Sequence, residues 1–103
     1  MGTITFTDGR KLKWVFTLSA IEIFKSLTGL TVNDFLGSGP TIDNIIILLY
    51  SCLQSPEGLL SDGSTVELKD LRRLVSDEEL GQFCIDFGNY VKTYGVNSLI
   101  NKN

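Results

Sequence analysis

Residues 3–17 read TITFTDGRKLKWVFT, and this stretch decides what kind of fold the chain builds. Apolar and polar residues alternate on both sides of an Asp8-Gly9 step, which is the pattern of a β-hairpin. A two-residue Asp8-Gly9 loop would set Ile4 and Phe6 opposite Lys13 and Lys11. That mixes the faces, because facing residues of an antiparallel pair share one side of the sheet. A loop centred on Gly9 with an odd number of residues puts Phe6 opposite Leu12 and Ile4 opposite Trp14. That register, or a bulge that restores it, is the expectation. Ile4, Phe6, Leu12, Trp14 and Phe16 then make one apolar face. A lone hairpin is barely stable in water, so this face must pack on helices or on a partner.

The chain beyond the hairpin changes period from two to about 3.6. Ser19 and Glu22 have the spacing of a capping box, opening a helix that runs to about Thr28 and stops at Gly29. Ala20, Ile21, Phe24 and Leu27 are its inner face. A short helical turn over 32–36 follows, with Thr31 as its cap, and Gly37-Ser38-Gly39-Pro40 breaks the chain. Thr41 starts a helix carrying Ile42, Ile45, Ile46, Ile47, Leu48, Leu49, Cys52 and Leu53. Apolar residues lie nearly all round it, so it is either the central helix or one partly buried by another chain. Residues 55–63 form a loop. Two further capping boxes, Ser64 with Glu67 and Ser76 with Glu79, open a short helix and a long one. The short helix turns Leu68, Leu71, Leu74 and Val75 inward. The long one runs to about Tyr94, stops at Gly95, and places Leu80, Phe83, Cys84, Phe87, Val91 and Tyr94 at helical spacing. The expected fold is α+β and mostly α: one domain over 1–103, with a hairpin at 3–17, four to five helices in a small bundle over 18–95, and a loose tail at 96–103.

A chain of 103 residues fits one domain, and 43% hydrophobic against 20% charged residues is ordinary globular usage. Nine Lys and Arg against twelve Asp and Glu leave a net charge of −3. Phosphate binding needs a basic face, so nucleic acid is not an expected partner. The N-terminus lacks the apolar core of a signal peptide. The longest unbroken apolar run, Ile45 to Tyr50, is far short of the roughly 20 residues needed to span a bilayer. A cytoplasmic location follows as the expectation.

The residue types needed for common chemistry are missing. There is no His, hence no Ser-His or Cys-His pair and no imidazole general base. Cys52 and Cys84 lie in helical patterns beside large apolar residues and read as buried free thiols, not metal ligands. Gly37-Ser38-Gly39-Pro40 lacks the Lys-Ser/Thr that would complete a phosphate loop. Asp77, Glu78 and Glu79 stand in the first turn of a helix, where the dipole favours negative charge. No catalytic, cofactor or metal site is expected. The aromatic surplus points instead to protein binding, since Tyr and Trp suit half-wet interfaces. Trp14, Tyr50, Phe87, Tyr90 and Tyr94 are the candidate partner-binding residues.

Read in order, Ala20-Ile21, Leu27-Thr28-Gly29, Phe35-Leu36 and Leu48-Leu49-Tyr50 with Leu53 resemble the tail assembly chaperones of long-tailed bacteriophages and related prophages. The resemblance covers residues 12–92, and departs from the family at Ser51-Cys52 and in the longer 55–63 loop. It implies a non-enzymatic chaperone of the host bacterial cytoplasm, absent from the mature virion. Such a protein binds the long, helical tape measure protein, with tail tube protein as a further partner, and keeps it soluble while the tail tube assembles. The contact implied is a helix laid in an apolar groove. It also implies a longer frameshifted product, and Asn101-Lys102-Asn103 is what an A-rich slippery heptamer encodes. The residues leave room for a homo-oligomer. The alternative is a small cytoplasmic adaptor or inhibitor binding a single protein partner.

Overall fold

The computed structural model describes residues 2–95. It has strands β1 (Gly2–Thr5) and β2 (Lys11–Trp14), then helices α1 (Leu18–Thr28), α2 (Val32–Gly37), α3 (Ile42–Leu53), α4 (Leu68–Leu74) and α5 (Asp77–Tyr94). The arrangement is α+β and mostly α, a two-stranded antiparallel ribbon followed by five helices.

The hairpin register differs from the expected one by two residues. Ile4 faces Leu12, and Trp14 faces Gly2 instead of Ile4. The cause is the turn. Its loop is Thr7-Asp8-Gly9, closed by Phe6 N–H donating to the Arg10 carbonyl at 2.8 Å and Gly9 N–H donating to the Phe6 carbonyl at 2.9 Å. A three-residue loop of this kind needs a left-handed residue at its last position, and Gly9 has φ 94°. Gly9 therefore closes the loop while Asp8 occupies its centre. The parity survives, so Ile4, Phe6, Leu12, Trp14 and Phe16 still share one face, all of them buried.

That face packs on α5. Trp14 meets Phe83 edge-on with ring centroids 4.9 Å apart, and Phe16 meets Phe87 in the same way at 5.0 Å. Both edges of the ribbon are also occupied. On the β1 side, Thr5 N–H donates to the Glu79 carboxylate at 2.7 Å and Thr7 N–H to the Leu74 carbonyl at 2.8 Å. On the β2 side, Lys13 N–H donates to the Ser61 hydroxyl at 2.8 Å and Val15 N–H to the Cys52 carbonyl at 3.0 Å. These are donors that would otherwise recruit another strand.

Helix starts show three differences from the capping boxes expected. Thr17, not Ser19, caps α1, its hydroxyl accepting from Ala20 N–H. Ser64 does not cap α4. Its hydroxyl bonds Asp62 and Arg10, and Glu67 holds the cap position without a side-chain cap bond. Ser76 does cap α5, but Glu79 reaches across to Thr5 instead of back to Ser76. Thr31 with Asp34 makes the one complete capping box among the described residues. Gly29 ends α1 in the left-handed conformation, at φ 74°.

α3 is the central helix. Ile46, Leu48, Leu49, Ser51, Cys52 and Leu53 are buried, and the Ser51 hydroxyl is satisfied by donating to the Ile47 carbonyl at 2.8 Å. Its first turn stays outside, with Ile42 exposed. α1 and α4 pack on α3, and α2 folds back on α1 through an edge contact of Phe35 with Phe24 at 5.3 Å. One residue expected inside is exposed, Leu27 on α1, at the border of that helix's buried arc. Tyr94, in the last turn of α5, is exposed as well.

Two substitutions test this packing. A Cβ on Gly2 would lie 2.6 Å from Trp14 Nε1 and 2.8 Å from Cε2, against a ring fixed in the core. Gly2→Ala is expected to destabilise by about 1–3 kcal/mol, lowering Tm by at least about 4–8 °C. Gly88 is helical and exposed, with nothing near an added Cβ, so Gly88→Ala should stabilise by about 0.5–1 kcal/mol. Thermal melts of the two variants beside the parent protein check both signs. Glu79→Ala should cost about 1–2 kcal/mol in urea unfolding by orphaning Thr5 N–H, and Glu79→Gln, which keeps an acceptor, distinctly less.

Candidate protein-binding surface

The segment from Gln54 to Ser64 is built from two tight turns of the same design as the hairpin loop. Pro56-Glu57-Gly58 is closed by Ser55 N–H donating to the Leu59 carbonyl at 2.9 Å, and Ser61-Asp62-Gly63 by Leu60 N–H donating to the Ser64 carbonyl at 2.8 Å. Each ends in a left-handed glycine, Gly58 at φ 81° and Gly63 at φ 83°. Asp62 accepts from Ser64 N–H just as Asp8 accepts from Arg10 N–H. The Ser64 hydroxyl and backbone N–H hold the Asp62 carboxyl below its ordinary pKa, with the Arg10 charge assisting. Arg10 ties the first turn of the chain to this segment: its guanidinium bonds Asp8 at 3.0 Å and Ser64 at 3.1 Å, and stacks over Phe6.

These turns shape one bank of an open trough beside α1. The first half is a depression of about 390 Å³, lined by Ile23, Ser26 and Leu27 of α1, Tyr50 and Gln54 at the end of α3, and Pro56 and Gly58. The second half, of about 400 Å³, is lined by Lys13 and Val15 after the hairpin, Thr17, Ser19, Leu53, Leu59 and Ser61. The halves meet at Gln54, Ser55 and Pro56. Three large apolar side chains stand exposed around the trough: Val15 at 45%, Leu27 at 45% and Leu59 at 41%. Gln54 Nε2 is buried without a hydrogen-bond partner among the described residues.

The five residues expected to bind a partner do not gather in one place. Tyr50 is half-buried and lines the trough. Trp14 and Phe87 are core residues, 1% and 4% exposed, with no surface to offer in this conformation. Tyr90 packs its ring edge-on to Phe16, and Tyr94 stacks obliquely on Tyr90 with centroids 5.0 Å apart, so both belong to the far end of α5. Sequence reasoning missed Val15, Ile23, Leu27, Pro56 and Leu59 as surface. One signal was available. The apolar arc of α1, taken over Leu18, Ala20, Ile21, Ile23, Phe24 and Leu27, is wider than one neighbouring helix can cover.

A second, smaller apolar slot of about 100 Å³ lies between α2, α3 and α5, walled by Phe35, Leu36, Ile45, Leu48, Phe83, Cys84 and Phe87. It is a gap in the core that reaches the surface at Leu36. No group of three or more His, Cys, Asp or Glu among the described residues is placed to hold a metal ion. No helix among them is long and apolar enough to cross a membrane. No family model, curated protein or solved structure matches the chain.

Desolvation raises the pKa of both thiols, Cys52 deep in the core and Cys84 at the slot. The thiolate is the nucleophile, so both are expected to react slowly with a disulfide reagent near neutral pH. Cys84, half-buried, should react faster as pH rises, and Cys52 only when denaturant opens the core. A folded-state thiol pKa above its unfolded value stabilises at low pH, and the benefit fades as pH rises above the ordinary thiol value of about 9.0. Denaturant midpoints should therefore fall over that alkaline range, and Cys52→Ser should flatten the fall.

Proposed function

We propose that this chain is a non-enzymatic tail assembly chaperone that holds amphipathic segments of a tape measure protein in the trough beside α1. The observation that carries the binding role is the trough itself. Exposed Leu27 with half-buried Ile23 and Tyr50 lines one half, and exposed Val15 and Leu59 line the other, the two sharing Gln54, Ser55 and Pro56 in their walls. Contiguous exposed apolar surface rimmed by polar groups is a mark of protein-interaction sites. An open channel suits the protruding side chains of a helix better than it suits an enclosed small molecule.

The phage assignment rests on the resemblance of the Leu27-Thr28-Gly29 and Leu48-Leu49-Tyr50 runs to the tail chaperones. These runs border the trough: Leu27 and Tyr50 line it, while Leu48 and Leu49 anchor α3 in the core. The family's activity needs no nucleotide and no catalytic group, only apolar surface that shields a helix from aggregation.

The test begins with the coding DNA past Asn103. A slippery heptamer, an overlapping frame and a following reading frame for a very long helical protein are expected. That long protein should be insoluble when expressed alone and soluble when co-expressed with this chain. Leu27→Lys, which plants a charge at the trough lip, should abolish the rescue without lowering stability by more than about 1 kcal/mol, since Leu27 is exposed. A long protein that is equally soluble with and without the chain overturns the proposal.

A further inference from the structure

The apolar slot between α2, α3 and α5 is separate from the trough and shares no wall residue with it. Its described walls carry no charged side chain, and it opens beside exposed Leu36. A cavity of about 150 Å³ holds a six-carbon ring. At about 100 Å³ the slot has room for one four-carbon aliphatic side chain and is too small for a helix.

The end of α5 lies over the stripe that leads to this slot. Cys84, Gly88, Val91 and Gly95 follow at intervals of four, three and four, which places them along one side of the helix. Cys84 and Gly88 wall the slot, and half-buried Val91 lies between them and the helix end. Gly95 N–H still donates to the Val91 carbonyl at 2.7 Å, but a φ of 76° and ψ of 154° take the chain out of the helix there. The tail at 96–103, expected to be loose, lies outside the described residues. It reads VNSLINKN, with Leu99-Ile100 as its one pair of large apolar neighbours. Helical rise sets Gly88 about 10 Å and Cys84 about 16 Å back from Gly95 along the axis. An extended chain covers about 3.3 Å per residue, which carries Leu99 about 13 Å and Ile100 about 17 Å from Gly95.

We propose that the chain's own C-terminal segment turns back at Gly95 along α5 and closes the slot with Leu99 and Ile100. One of the two side chains enters the slot and the other covers Leu36 at its mouth. The segment suits a site with no charged wall: Val96-Asn97-Ser98 is uncharged, and Lys102 falls two residues past the aliphatic pair, where it stays in water.

Cys84 reports on the slot because it stands in the wall, whereas Cys52 is buried in the core. The full chain carrying Leu99→Asp and Ile100→Asp is treated with a disulfide reagent at one alkaline pH beside the parent protein. Cys84 is expected to react about ten-fold faster in the variant, the change in opening that losing one buried aliphatic side chain gives. Cys52 should still need denaturant, which shows that the variant folds. A second pair of full-length variants, Leu99→Cys and Ile100→Cys, is oxidised with diamide. At least one should form a disulfide to Cys84 within a single chain, since the bond requires Cα atoms within about 7 Å. Cys84 reactivity left unchanged by the two Asp substitutions overturns the proposal, and so does absence of the intrachain disulfide in both Cys variants. Disulfides between two chains, with Cys84 reacting faster on dilution, also overturn it and assign the slot to a second copy. If both thiols of the Asp variant react at once, that variant has unfolded and the intrachain disulfide alone decides.

Discussion

Trp14 and Phe16 lie edge-on to Phe83 and Phe87, and most of the structure is arranged around that contact. Neither partner element stands alone. A two-stranded ribbon has only one face to bury, and α5 carries Gly81 and Gly88 and a largely polar exterior, so its stability comes from what it covers. Each supplies the apolar surface the other lacks. Edge-to-face rings add a directional preference to the burial, which holds the ribbon at one angle on the helix. The same packing requires Gly2, because the Trp14 indole occupies the space a side chain there would take.

Around this contact the polar groups of the ribbon are consumed locally. Glu79, Leu74, Ser61 and Cys52 accept from four donors on the ribbon's two edges, Thr5, Thr7, Lys13 and Val15. With Val15, Leu27 and Leu59 exposed, bare strand edges would add a second route to self-association, and these four bonds close part of that route.

The elements of the fold were legible because each rests on local chemistry. Period two around Asp8-Gly9, the positions of Gly29 and Gly95, and the threonines before α2 and α3 all act within a few residues. What was not legible depended on distant partners. Ser64 and Glu79 have capping-box spacing, yet their side chains serve Arg10 and Thr5, 54 and 74 residues away. The register slipped because the position of Gly9 in its loop, not its presence, sets the pairing. The site was less legible still. Aromatic residues attract notice in a sequence, but the largest rings were needed in the core. The trough is made from Leu27 and Leu59, whose exposure depends on where the 54–64 turns come to rest.

The bond from Thr5 to Glu79 joins residues 74 apart, and Trp14 waits nearly as long for Phe83 and Phe87. During synthesis the hairpin leaves the ribosome well before the helix that covers it. Until α5 emerges, Trp14 and Phe16 lack the rings they pack against. The first and last described elements close together, so the hairpin's packing waits until α5 has been made. A chain cut short within α5 would carry a hairpin whose aromatic face has lost its cover.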